Sequence, residues 1–239
     1  MKAFLTAEWR YLAMLNYAVD PRLLQPLVPS GTELDFHVGT TFLSVVGFRF
    51  LRTRVFGVPF PLHRDFEEVN LRFYVRRKTD GGWRRGVVFI REIVPRRAIA
   101  FVARTFYGEP YIALPMRHGI KLSGIGVSAE YAWRRAGRWE SLRAVGVSQP
   151  REIESGSEAE FITEHYWGYT ACKAGCHEYE VEHPRWQVWH CSEAHLDADI
   201  GALYGGQFVE TLSHAPTSAF IADGSPVAVR RKSALRAMV

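Results

Sequence analysis

A stripe of polar side chains on one predicted strand is the first place in this sequence where chemistry could occur. Residues 66–76 alternate strictly, so Glu68, Asn70 and Arg72 share one face while Val, Leu and Phe occupy the other. A carboxyl group withdrawn from water has a raised pKa and can transfer protons, and an arginine can hold a carboxylate. The same stripe is also typical of a strand's solvent face, and periodicity alone does not separate a cavity from bulk water.

A second group of chemically capable residues follows a short helix predicted to begin at Ser157. Residues 164–169 combine Glu164 and His165 with three aromatic side chains. A histidine in this setting is either a hydrogen-bonded core residue or part of a cavity wall whose environment shifts its pKa. Both interpretations remain open from the sequence.

Metal and cofactor sites are not expected. Cysteine and histidine recur at Cys172, Cys176, His177, His190, Cys191 and His195, but without the paired Cys-x-x-Cys spacing of a zinc site. Residues 124–129 read G-x-G-x-x-A, yet no convincing strand precedes them and no helical pattern follows. We therefore expect neither a metal ion nor a dinucleotide.

The elements that must position these residues are mostly strands. Strand-like patterns cover residues 8–19, 41–52, 66–76, 86–94 and 98–107, and more follow to residue 231. Asp20 and Pro21 begin one short helix, and residues 197–204 predict another. About a dozen strands with few helices predict a mainly β, antiparallel fold, a closed or half-closed barrel, in a single domain over residues 1–239.

Composition and charge narrow the classes of function. The chain has 239 residues, a hydrophobic fraction of 47%, a charged fraction of 23% and a net charge of +5, as in ordinary globular proteins. Basic doublets lie at predicted turns and form no single surface, so we expect no nucleic-acid partner. The uncharged run 38–48 is too short for a membrane span, and the N-terminus is charged too early for a signal peptide. Three cysteines, an odd number, suit a reducing compartment, so we expect a cytoplasmic protein.

Four segments carry a resemblance to a known family. Residues 66–75, 107–111, 163–169 and 182–186 resemble, in order, the YqjF-like family of uncharacterised bacterial proteins. That family is distantly similar to acetoacetate decarboxylase, which implies a cone-shaped, mainly antiparallel β-barrel with the site inside. Glu68 falls where the decarboxylase has its active-site glutamate, and Arg10 where it has its active-site arginine. Pro110 is followed by Tyr111 instead of the Schiff-base lysine, so imine chemistry is not expected.

The resemblance favours a cavity for the polar stripe and leaves three hypotheses. The first is a lyase-type enzyme in which arginines hold a small carboxylate-bearing molecule and Glu68 acts as acid or base. The second is a barrel that binds such a ligand without chemistry, and the third is an interaction protein without a pocket. Assembly of identical chains is left open. The candidate residues are Glu68 and Arg10 for catalysis, and Asn70, Arg72, Tyr111, Glu109 and His165 for substrate binding.

Overall fold

Strands dominate the computed structural model, which describes residues 3–59, 63–173 and 175–236. In these residues the strands are β1 (Leu5–Val19), β2 (Glu33–Leu34), β3 (Thr41–Val55), β4 (Val58–Pro59), β5 (Phe66–Thr79), β6 (Gly82–Val94), β7 (Tyr111–Ala113), β8 (Met116–Ser123), β9 (Gly126–Arg135), β10 (Arg138–Val147), β11 (Arg151–Glu152), β12 (Trp167–Cys172), β13 (Gly175–Glu182), β14 (Gln187–Asp197), β15 (Ser218–Val229) and β16 (Ser233–Arg236). The helices are α1 (Pro21–Leu24), α2 (Arg97–Tyr107), α3 (Glu158–Thr163), α4 (Ile200–Tyr204) and α5 (Val209–Ser213).

Seven strands close into a ring in the order β13, β12, β6, β5, β3, β1, β15 and back to β13. Their pairings are antiparallel except between β12 and β6, which run parallel. From β15 the sheet also continues through β14, β10 and β9 to β8. The predicted mainly β, mainly antiparallel architecture is confirmed.

The two faces of the ring strands bury different side chains. On β5, Leu71 and Phe73 belong to the same apolar cluster as Tyr131 and Trp133 of β9, which are fully buried. The opposite face of β5 belongs to a second apolar cluster, with aromatic residues such as Phe48. The alternation read from the sequence of β5 therefore matches two distinct packing environments.

A β-bulge interrupts the alternation of β1. The pairing with β3 shifts between Arg10 and Ala13, and Tyr11 has a positive φ of 55°. The hydroxyl of Tyr131 donates to the carbonyl of Tyr11 at 2.7 Å and so fixes the bulged residue. Because a bulge inserts one extra residue, it reverses which side chains face inward on either side of it. The strand predicted over residues 8–19 is present, but its side chains do not alternate without interruption.

Residues 98–107, predicted as a strand, form helix α2 instead. Three of its apolar residues, Ile99, Val102 and Ala103, recur at helical spacing on one side. Gly108 ends the helix with a φ of 76°, and its N–H donates to the carbonyl of Arg104. The segment is apolar at both odd and even positions, so its pattern did not distinguish the two periods.

The other predicted helices are present, with small changes in their bounds. The carboxylate of Asp20 accepts from the backbone N–H of Arg22 and caps α1, as predicted. The helix expected over residues 197–204 is shorter, because β14 extends to Asp197 before α4 begins. Among the described residues, no helix has both the length and the hydrophobicity needed to cross a bilayer.

Candidate functional site

A cavity of about 150 Å³ lies inside the ring of strands. All seven ring strands contribute side chains to its wall, and α2 covers part of it through Ile99, Val102 and Ala103. Most of the wall is apolar. The polar side chains of β5 predicted from the sequence, Glu68, Asn70 and Arg72, all line it. A mostly apolar cavity with a few convergent polar groups is the usual form of a small-molecule site.

Both carboxyl oxygens of Glu68 accept hydrogen bonds. Asn70 Nδ2 donates to Glu68 Oε1 at 3.0 Å, and the hydroxyl of Tyr111 donates to Glu68 Oε2 at 2.9 Å. Glu68 is 2% exposed and Asn70 1%. Period two places Asn70 beside Glu68 on β5, while β7 brings Tyr111 to the same point by pairing with β6. A carboxyl fixed in this way is oriented for proton transfer.

Two further buried carboxyl groups lie near Glu68. Glu109 accepts from the hydroxyls of Thr170 at 2.5 Å and Tyr179 at 2.9 Å. Glu92 pairs in register with both Asn70 and Tyr111, and its Oε2 has no hydrogen-bond partner in the described part of the chain. Glu109 was among the predicted binding residues, whereas Glu92 was missed.

Burial raises the pKa of all three carboxyl groups. Desolvation raises the pKa of Glu68 to about 7, although hydrogen bonds from Asn70 and Tyr111 and the charge of Arg72 oppose the rise. Burial likewise raises the pKa of Glu109 to about 7. The pKa of Glu92 lies well above its usual range because it is buried and repelled by Glu109 and Glu68. Desolvation is therefore the largest cause of the raised pKa at all three carboxyl groups, and repulsion between carboxylates adds to it at Glu92 and Glu109.

Arg72 supplies a positive charge to the same cavity. One terminal nitrogen, Nη2, donates to the carbonyl of Ile162 at 3.3 Å. Its Nε is buried and has no hydrogen-bond partner among the described residues. An unsatisfied buried donor is costly, so it points to a ligand or water that accepts from it.

His165 lines the cavity and is oriented by Asp35. Its Nε2 lies 3.2 Å from Asp35 Oδ2, which also accepts from Arg85 Nε at 2.7 Å. Burial would raise the pKa of Asp35, but the hydrogen bonds from His165 and Arg85 outweigh it and lower that pKa to about 2. Desolvation lowers the pKa of His165 to about 4. At neutral pH the imidazole is therefore uncharged, with Nε2–H donating to Asp35 and Nδ1 left as an acceptor.

Arg10 does not line the cavity, which corrects its expected position. Its guanidinium donates to Glu8 and, through Nη1, to the carbonyl of Gly224 at 3.1 Å. The bulge at Tyr11 is the reason: Trp9 and Leu12 line the cavity on either side of it, so Arg10 faces outward. The six other candidate residues, Glu68, Asn70, Arg72, Tyr111, Glu109 and His165, all line the cavity.

Among the described residues there is neither a lysine nucleophile in the cavity wall nor a set of metal ligands. None of the lysines described there lines the cavity, and Tyr111 occupies the place implied for a Schiff-base lysine. No set of three or more Cys, His, Asp or Glu side chains among them is arranged to hold a metal ion. Among the described residues, the acidic side chains that line the cavity are Glu68, Glu92 and Glu109.

Solved structures with the same fold include acetoacetate decarboxylase-like proteins. An acetoacetate decarboxylase-like enzyme from Sphingomonas wittichii RW1 aligns over 100% of this chain and 95% of its own, at a TM-score of 0.69 and 15% identity. Acetoacetate decarboxylase from Legionella pneumophila aligns over 98% of this chain and 88% of its own, at a TM-score of 0.65 and 15% identity. The enduracididine biosynthesis enzyme MppR, complexed with pyruvate, aligns over 98% of this chain and 91% of its own, at a TM-score of 0.65 and 12% identity. The implied fold is confirmed.

Sequence comparison confirms the resemblance to YqjF. The uncharacterized protein YqjF of Bacillus subtilis (strain 168) is 29% identical over 182 residues, which are 74% of this chain and 72% of YqjF. Residues 6–226 match the DUF2071 family, described as an uncharacterized conserved protein. The protein belongs to the DUF2071 family.

Proposed function

We propose that the cavity binds a small 2-oxo acid and that Glu68 transfers a proton at the carbon beside the carbonyl group, without a lysine adduct. The observation that carries this proposal is the Glu68 carboxyl itself. It is buried in the cavity, held by Asn70 and Tyr111, and has a pKa of about 7. A base with a pKa near the working pH is best suited to proton abstraction.

Arg72 is the group we assign to the ligand's carboxylate. Its guanidinium lines the cavity, and Nε is buried without a partner among the described residues. A charge-assisted hydrogen bond to a carboxylate would satisfy that donor. The pyruvate complex of MppR supports an oxo acid as the ligand class, because MppR shares the fold.

Glu92 supplies the hydrogen-bond donor that an enolate needs. When Glu68 takes the proton, the C–H bond breaks, its electron pair forms a C=C bond to the carbonyl carbon, and the π pair of the carbonyl group moves to the oxygen. Burial, together with repulsion by Glu109 and Glu68, raises the pKa of Glu92 well above its usual range and so favours its protonated form, and its Oε2 has no hydrogen-bond partner among the described residues. A neutral carboxylic acid in a buried site can donate to the developing oxyanion. The two carboxyls thus take opposite roles because their pKa values differ.

Deuterium exchange tests this proposal without knowledge of the natural substrate. Pyruvate and 2-oxobutanoate are incubated with protein in D₂O, and loss of the protons beside the carbonyl is followed by NMR. We expect exchange above the buffer rate, reduced at least about 100-fold in Glu68→Gln, since general-base catalysis contributes roughly 10²–10⁴-fold. Glu152→Gln is the matched control, because Glu152 is exposed on β11.

The outcomes separate the hypotheses. Exchange that Glu68→Gln leaves unchanged refutes the assignment of the base. Binding of the oxo acids by calorimetry with no exchange in wild type supports the ligand-binding alternative, in which the cavity performs no chemistry. Borohydride treatment with pyruvate is expected to leave no lysine adduct, and a trapped adduct would overturn the non-covalent mechanism.

A further inference from the structure

Three segments of the chain meet around the ring of Phe4. Phe4 packs against Phe56, with ring centroids 4.9 Å apart. It also packs against Phe106 and Tyr107, with centroids 6.0 Å and 5.0 Å apart. Arg231 adds the third segment, because its Cζ lies 4.9 Å from the centroid of the Phe56 ring. The turn between β3 and β4, the end of α2 and the connection between β15 and β16 therefore form one surface.

We call the solvent-facing part of this surface the basic rim; it consists of Arg54, Phe56, Val58, Arg104, Phe106 and Arg231, all of which are exposed. Arg54 is held at its turn, since its Nη1 donates to the carbonyl of Gly57 at 3.2 Å. Arg104 lies in the last turn of α2. The three segments are far apart in the chain, so the sequence did not predict that they share a surface.

The basic rim carries positive charge without nearby negative charge in its own segments. Residues 54–59, 96–108 and 230–236 contain no Asp or Glu. In the described part of the chain, none of the three arginines of the basic rim forms an ion pair with a carboxylate. Charges of one sign that are gathered on one surface attract an anionic partner.

The same surface exposes large apolar side chains beside the arginines. Phe56 is 52% exposed, Phe106 50% and Val58 63%. A nucleic acid would stack its bases on the rings, but the aliphatic Val58 offers no ring. A second copy of this chain would set arginine against arginine. The interface of a bilayer accepts both kinds of side chain, because arginines attract anionic headgroups and apolar groups enter the boundary with the acyl chains.

We propose that the basic rim docks the protein onto the surface of a membrane that contains anionic lipids. Its three arginines contact the headgroups, and its three apolar side chains enter the boundary beneath them. The protein lies on this membrane and does not span it. Since the arginines are exposed, salt screens their attraction to the headgroups and weakens binding.

Sedimentation with sucrose-loaded vesicles tests the docking. The vesicles contain phosphatidylcholine alone or phosphatidylcholine with about one-third phosphatidylglycerol. We expect binding to the anionic vesicles only, weaker at about 0.5 M than at about 0.1 M salt. An arginine near an anionic surface contributes roughly a fivefold gain in affinity, so Arg104→Gln/Arg231→Gln should bind at least about tenfold more weakly. Arg134→Gln/Arg143→Gln removes the same charge from exposed sites on β9 and β10 and should change binding less than about twofold.

Apolar variants keep the charge and test the insertion. Phe56→Ser should weaken binding to the anionic vesicles roughly fivefold, because its ring no longer leaves water on docking. If Phe56→Ser does not fold, Val58→Ser removes an apolar side chain from the same turn. Unchanged binding by both serine variants would overturn the insertion. Equal binding to both kinds of vesicle, or equal losses in the two arginine pairs, would overturn the docking. Binding to a single-stranded oligonucleotide without binding to the anionic vesicles would also overturn it.

Discussion

Replacing Glu68 by glutamine should make the protein more stable above neutral pH. The carboxyl has a pKa of about 7 in the folded protein against 4.5 when exposed to water. Between these two values the folded state binds more protons than the unfolded state, so stability falls as pH rises from 4.5 to 7. Glutamine has the same shape and no charge. It can accept from Asn70 and donate to the hydroxyl of Tyr111, so both contacts can remain.

The size of the effect follows from the shift. A rise of about 2.5 units corresponds to about 3 kcal/mol that ionising Glu68 costs the folded state at pH 8. For a chain of this length that is roughly 6–12 °C in Tm. Well below pH 4.5, Glu68 is protonated in both states, and the variant should match the wild type in stability.

Urea unfolding at a series of pH values measures this difference. The free energies of unfolding of wild type and Glu68→Gln should coincide well below pH 4.5 and diverge up to pH 8, with the variant higher. Glu152→Gln, at an exposed site, should show no such divergence. A gap that does not change with pH, or a variant less stable at pH 8, would refute the assignment of a raised pKa to Glu68.

We expect two further outcomes, one from the packing of Gly224 and one from the hydrogen bond between Asn70 and Glu68. Gly224→Ala should destabilise the protein by at least about 2 kcal/mol in urea unfolding, because φ is +81° and the new Cβ would lie 2.0 Å from the carbonyl oxygen of Trp9. Gly119→Ala is the control, because the space around Gly119 is open. Equal stabilities of the two variants would contradict this packing. Asn70→Leu removes a donor that favours ionised Glu68, so the rise of deuterium exchange with pH should move to higher pH; an unmoved profile would mean that Glu68 is not the group titrating.

The sequence predicted the site best where the strand alternates without interruption. Pairing of β5 with β3 runs in continuous register from Phe66 to Phe73, so period two placed Glu68, Asn70 and Arg72 on one wall. The missing amine at Tyr111 could also be read from the sequence, by resemblance. In both cases a local pattern determines the position of the side chain.

Two β-bulges account for the side chains of the cavity wall that could not be predicted. On β1 the extra residue beside Tyr11 turns Arg10 away from the cavity. On β6 the pairing moves from Arg91 to Phe89 between successive residues of β5, so Ile90 is extra and Glu92 turns inward with Phe89. A bulge depends on pairing with neighbouring strands, which a single sequence does not reveal. A glutamate in residues 86–94, where Arg91 is the only other charged residue, was the available signal for Glu92.

The charge balance of the cavity couples ligand binding to protons. Arg72 supplies one positive charge, while Glu68, Glu92 and Glu109 would supply three negative charges if all were ionised. A carboxylate ligand adds another negative charge, so it should bind best when the carboxyls are protonated, below about pH 7. Proton abstraction needs Glu68 ionised, which favours higher pH. The rate of exchange at low ligand concentration should therefore pass through a maximum near pH 7. Calorimetry at pH 7.5 in buffers of different ionisation enthalpy should show proton uptake on binding of pyruvate, and affinity that stays constant from pH 6 to 8.5 would contradict the coupling.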